Sequence, residues 1–75
     1  MSWVGVARSS WLSRARWDED PERPGVGVML VEAKAGYVIE LRDVPADAWQ
    51  GFLAAPSRGS YYHNVLARYP KRVVS

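Results

Sequence analysis

Seventy-five residues, 48% of them hydrophobic and 12% aromatic, with a formal net charge of +2, describe one small domain. A chain this short buries only about 60% of the surface its unfolded form exposes, which excludes a second domain and argues against a deep active-site cavity. The absence of cysteine excludes disulfides and thiolate metal sites. No apolar run approaches the roughly 20 residues of a membrane span, and no basic-then-apolar leader is present, so a soluble, non-secreted protein is expected.

A first strand is expected over residues 9–17, although Arg14 and Arg16 alternate with Ser13 and Ala15 and the period of two is imperfect. Residues 18–25 read as a loop, because two prolines, a glycine and four carboxylates offer nothing to bury. Residues 26–33 are dense in Val, Met and Leu and make the strongest strand. Lys34-Ala35-Gly36 forms a tight turn into a third strand over 37–42, antiparallel to the second.

Pro45 suits the first position of a helix and Asp47 its positive end. Trp49, Phe52 and Leu53 form one apolar stripe, with Gly51 inside it at a cost of about 1 kcal/mol relative to Ala. Pro56 ends that helix, and Ser57 or Ser60 caps the next. Tyr62, Val65, Leu66 and Tyr69 then share a face until Pro70. The expected architecture is α+β: a three-stranded antiparallel meander followed by two short helices packed on one face. It occupies residues 1–75 as a single domain, with an apolar N-terminal arm (1–7) and a basic tail (70–75).

The ordered set Ser9-Ser10, Trp17-Asp18, Met29/Val31/Ala33, Gly36, Asp43-Val44-Pro45, Ala55/Ser57/Gly59, Tyr61-Tyr62 and Arg68-Tyr69-Pro70 resembles the KTSC family. That family is a small domain named for its place at the C-terminus of some lysyl-tRNA synthetases, and the likeness spans residues 6 to 73. It implies the fold just described and no enzymatic activity. KTSC-like single-domain proteins also occur in bacteriophage genomes, which implies a location in the cytoplasm or in a virion. The family carries a tyrosine-any-tyrosine motif in its central strand and a suggested RNA-binding role. Here Ile39 and Leu41 hold those positions, and aliphatic side chains cannot stack on bases, a contact worth about 1–3 kcal/mol each.

Groups that could carry chemistry are few. His63 stands alone and cannot build a transition-metal site, Asp18, Glu19 and Asp20 lack the glycine-centred loop of a calcium site, and Ser9, Ser10, Ser57 and Ser60 have no positioned base. No cofactor, metal, small-molecule substrate or membrane is expected. All eight acids lie between Asp18 and Asp47, where the net charge is −5, whereas residues 1–17 carry +3 and residues 48–75 carry +4. If those ends converge, Arg8, Arg16, Arg58, Arg68, Lys71 and Arg72 form a basic face for RNA or DNA. The competing expectation rests on apolar excess. Val28 and Leu30 face away from Met29, Val31 and Ala33, and Trp3, Val4, Val6 and Trp11 add further apolar surface. Those six residues are expected to dock onto a protein partner, either a second copy or a subunit of a larger assembly such as a phage particle. Alternatively, the arm folds back over the sheet.

Overall fold

The structure, a computed structural model, describes residues 2–7 and 9–75. The chain runs β1 (Val4–Gly5), β2 (Leu12–Asp20), β3 (Arg23–Ala33), β4 (Val38–Pro45), α1 (Ala46–Ala54), α2 (Arg58–Asn64), a 3-10 turn (Leu66–Arg68) and β5 (Lys71–Val73). All strands join one antiparallel sheet in the order β1-β2-β3-β4-β5. The α+β class and the two helices match the expectation, but the sheet has five strands where the sequence predicts three. The extra two are the N-terminal arm, which pairs with β2, and the C-terminal tail, which pairs with β4. Strands of two and three residues are too short to show a period, so only their partners reveal them.

Two bulges explain the irregular patterning. The register steps from Leu12 opposite Ala33 to Arg14 opposite Glu32, so Ser13 is the extra residue. That insertion lets Leu12 and Ala15, three apart, both reach the inner face and be fully buried, while Arg14 and Arg16 take the outer face. On β4 the step from Leu41 opposite Met29 to Val44 opposite Gly27 leaves an extra residue, and Asp43 there has φ of 60°, a region open to Asp and Asn more than to most side chains. Arg23 Nη2 donates to its carboxylate at 2.7 Å. The expected loop over 18–25 is instead mostly strand. Its acids survive in β2 because they stand on the outer face or at the turn: Arg16 pairs with Asp18, and Arg23 with Asp20.

The helices cover one face. Leu12, Ala15, Trp17, Met29, Val31, Leu41 and Val44 pack against Trp49 and Phe52 of α1, Tyr62 of α2, and Leu66. Trp49 and Phe52 stack at 5.9 Å, and the Trp17 indole N–H donates to the Val44 carbonyl at 3.0 Å across the core. Gly51 is explained by a neighbour rather than by backbone freedom: the Tyr61 hydroxyl occupies the place a methyl would need. Pro45 stands just before α1 as its N-cap, one position earlier than expected. Ser57 caps α2, accepting from the Ser60 N–H at 3.3 Å. The predicted long second helix is broken at Val65, with Leu66–Arg68 continuing as a 3-10 turn that still buries Leu66.

Candidate functional site

The helices do not reach the whole inner face. Near the β3–β4 turn, Trp11, Tyr37, Ile39, Tyr62 and His63 line an open groove of about 350 Å³. Tyr37 and Ile39 are two apart on one side of the strand and so share this face. Val73 stands directly opposite Ile39 on β5 and extends the apolar surface outward. These are large apolar groups left in solvent: Tyr37 is 39% exposed, Val73 65% and Val74 44%. The far wall is made of packed rings. Trp11 meets Tyr62 edge-on at 5.1 Å and lies 5.6 Å from His63, and burial raises the pKa of the Tyr62 hydroxyl.

Behind that wall lies a second, polar cleft of about 300 Å³, shaped by the segments around Ser9 and Ser57. Ser9, Ser10, Ser57 and Ser60 line it with Gly59, and it shares Trp11 and His63 with the groove. Ser9 is buried, and its hydroxyl accepts the Trp11 and Leu12 N–H groups at 3.3 and 2.9 Å, which turns the chain into β2. The Ser57 hydroxyl donates to that of Ser60 at 3.1 Å. Among the described residues, no hydrogen bond joins His63 to any of the four serines, and no group of three metal-ligating side chains occurs.

The model of the KTSC domain matches residues 8–69. The chain belongs to the KTSC family. A crystal structure of a KTSC domain protein from Yersinia pestis superposes with a TM-score of 0.80 at 21% identity, covering 99% of this chain and 97% of that one. Among curated proteins none matches.

In this KTSC domain Ile39 and Leu41, the positions that the resemblance sets against paired tyrosines, point to the helix side. Leu41 is fully buried and Ile39 lines the groove, so a tyrosine at Leu41 would lie inside the core rather than on an open platform. The residues expected to form a protein interface do not form one surface. Val6, expected at that interface, is instead buried, because its pairing beside β1 turns it toward the core. Trp11 packs on the helix side with Tyr62, opposite to Val28 and Leu30. Val4, facing Ala15, is also on the helix side at the β1 edge. Val28 and Leu30 do lie on the outer face, half-buried. Around them Arg14–Glu32, Arg16–Asp18 and Arg72–Glu40 form ion pairs, and Trp3 sits over Arg14 with 4.3 Å between guanidinium carbon and ring centre. The arm therefore folds back over part of the sheet, and the outer face is more polar than its own residues suggest.

The basic residues are dispersed as well. Arg16 on β2 and Arg72 on β5 stand three strand spacings apart, about 14 Å, each paired with a carboxylate. Arg58 is a structural group, donating to the Phe52 and Leu53 carbonyls at 3.3 and 2.8 Å and so closing the end of α1. Arg68 and Lys71 reach the Asn64 and Ala67 carbonyls. Arg8 lies outside the described residues. Sequence reasoning missed the groove because its parts come from three separate segments. The one available signal was Tyr37, an aromatic placed where a turn leads into a strand.

Proposed function

We propose that this chain is a non-enzymatic protein-interaction module that takes a large apolar side chain of a partner protein, flanked by acidic residues, into the groove of Trp11, Tyr37, Ile39, Tyr62 and His63. The observation that carries this reading is the groove itself, an aromatic-walled concavity continued by the exposed Val73. Its volume falls at the low end of ligand pockets, enough for one bulky side chain. The charge around it selects the partner. No acid is among the described lining residues, Lys34 stands at the turn that precedes Tyr37, and Lys71 shares the inner face with Val73. Two copies meeting through this face would oppose those same cations, which disfavours self-association there. A subunit or accessory protein of a phage particle is one setting in which such a module would serve.

Selection of a displayed random peptide library against the purified protein tests the reading. Enriched sequences should share one Leu, Phe or Trp with neighbouring Asp or Glu. Their affinity should fall by about tenfold or more with Tyr37→Ser and Ile39→Ser, and persist with Val28→Asp and Leu30→Asp. Peptides lacking such a consensus, or binding that survives the groove changes, would refute it. A steeply salt-dependent affinity for RNA or DNA, lost with Arg68→Ala and Arg72→Ala, would favour the nucleic-acid alternative instead.

A further inference from the structure

The groove and the serine cleft are two sides of one wall. Trp11 and His63 line both, so a ligand seated in the apolar groove has the polar cleft within reach around the wall's edge. The cleft presents donors. The Trp11 indole N–H meets no acceptor among the described residues, although it is half-buried. Ser10 is exposed and carries no hydrogen bond to another described residue. Ser60 receives the Ser57 hydroxyl, which leaves its own proton to point elsewhere. The Lys34 ammonium, 2.5 Å from the Ser9 carbonyl, adds positive charge at the same corner, and no carboxylate is among the described lining residues.

Gly59 keeps this donor set open. A Cβ built there would stand 3.2 Å from Trp11 Nε1 and 3.8 Å from Ser9 Oγ, crowding the indole nitrogen on the cleft side. Its φ is not positive, so the backbone does not demand glycine at this place in α2. What the missing side chain provides is access. Hydroxyl and indole donors with a nearby cation and no acid suit an oxyanion, and the shared wall requires that the oxyanion be attached next to an apolar group. Both are present together at the end of a polypeptide, where the terminal carboxylate adjoins the last side chain.

We infer that the serine cleft is a carboxylate subsite and that the module captures a partner by its C-terminus, the last side chain in the groove and the carboxylate against Trp11 Nε1, Ser10 and Ser60. This rests on the groove reading above and adds the polarity and the end of the partner chain to it. Two reporters separate the halves: the Trp11 indole N–H, assigned by comparison with Trp11→Phe, and the methyls of Ile39, the chain's single isoleucine.

The test is a nuclear magnetic resonance titration of the labelled protein with N-acetyl-leucine, N-acetyl-leucinamide and acetate. The acid should move both reporters and the amide only the Ile39 methyls, with the acid bound about tenfold more tightly, the usual worth of one charge-assisted contact at a solvent-open site. Acetate should move the indole alone, at higher concentration. Gly59→Ala should abolish the acid's advantage and leave the amide's effect on Ile39 intact. Ser10→Ala, at an exposed position, should weaken the acid alone. Equal effects of acid and amide on the indole, or an indole unmoved while Ile39 responds, would overturn the carboxylate subsite and leave the groove standing. An Ile39 methyl unmoved by either leucine derivative would overturn the groove reading and the chain-end proposal with it.

Discussion

Gly51→Ala sets two physical effects against each other. In an open helix interior the change stabilises by about 1 kcal/mol, because Ala gives up less conformational freedom. Here the new methyl would meet the Tyr61 hydroxyl head-on, with the ring carbons Cζ and Cε2 at 3.0 and 3.2 Å. The ring cannot simply swing aside. Its hydroxyl donates to the Ala48 carbonyl at 3.0 Å, and its face is fixed edge-on to Phe52 at 6.2 Å. Admitting the methyl costs that hydrogen bond, about 0.5–1.5 kcal/mol net, and forces repacking worth about 1–3 kcal/mol. The Ala48 carbonyl keeps its helical partner four residues on, so no buried acceptor is orphaned and the lower halves of these ranges apply. Set against the helix gain, the sum is a loss of about 0.5–2 kcal/mol, a fall in Tm of roughly 2–15 °C for a domain of this size. Urea denaturation followed by tryptophan fluorescence should show a lower midpoint at unchanged slope. In a Tyr61→Phe background the same substitution should cost less, since the clashing oxygen is gone. A Gly51→Ala protein as stable as the parent, or more so, would refute the argument.

Trp17→Phe should destabilise by about 2–4 kcal/mol in the same assay, through the Val44 carbonyl left without its donor and the volume lost in the core. Arg58→Met should cost about 1–2 kcal/mol, because it uncaps the end of α1, whereas unchanged stability would show that the guanidinium is free in solution. Acid sensitivity has a named contributor: the hydrogen-bonded Arg16 guanidinium holds the Asp18 carboxyl at about 2, below its ordinary 3.8. A lowered folded-state pKa stabilises above the unfolded value, and the contribution is lost as pH falls from 3.8 through 2. Urea midpoints measured across that interval should fall less steeply for Asp18→Asn than for the parent protein.

The central meander and both helices were legible in the sequence because their signals are local. Met29, Val31 and Ala33 alternate cleanly, and Trp49 with Phe52 marks a helix face. What could not be read depends on partners. Ser13 and Asp43 insert a residue each and reset the period, so Leu12 and Ala15 both reach the core, while Trp11, just before β2, packs against Tyr62 of α2. The edge strands are defined by hydrogen bonds to β2 and β4, not by their own residues. The loop over 18–25 failed for the opposite reason: its composition is that of a loop, but Arg16, Arg23 and the Gly25 N–H supply what its acids need. The expected interface set mixed residues from both faces, since the face of Val6 is set by the pairing of β1 with β2 and that of Trp11 by its packing on α2. The groove was illegible because Trp11, Tyr37 and His63 meet only once the sheet and α2 are assembled.

The order of strands also governs how this protein answers to force. Since each strand is followed across the sheet by the next, the two ends of the chain leave from opposite edges, one through β1 and the other through β5. Tension applied between them loads those short strands first and opens their hydrogen bonds one after another, as a zipper opens, rather than shearing a long ladder all at once. The long β2-β3-β4 ribbon is held in reserve behind two frangible selvedges. Any assembly that pulls on this domain through its ends would find it yielding in steps, with the groove beside β5 altered before the core gives way.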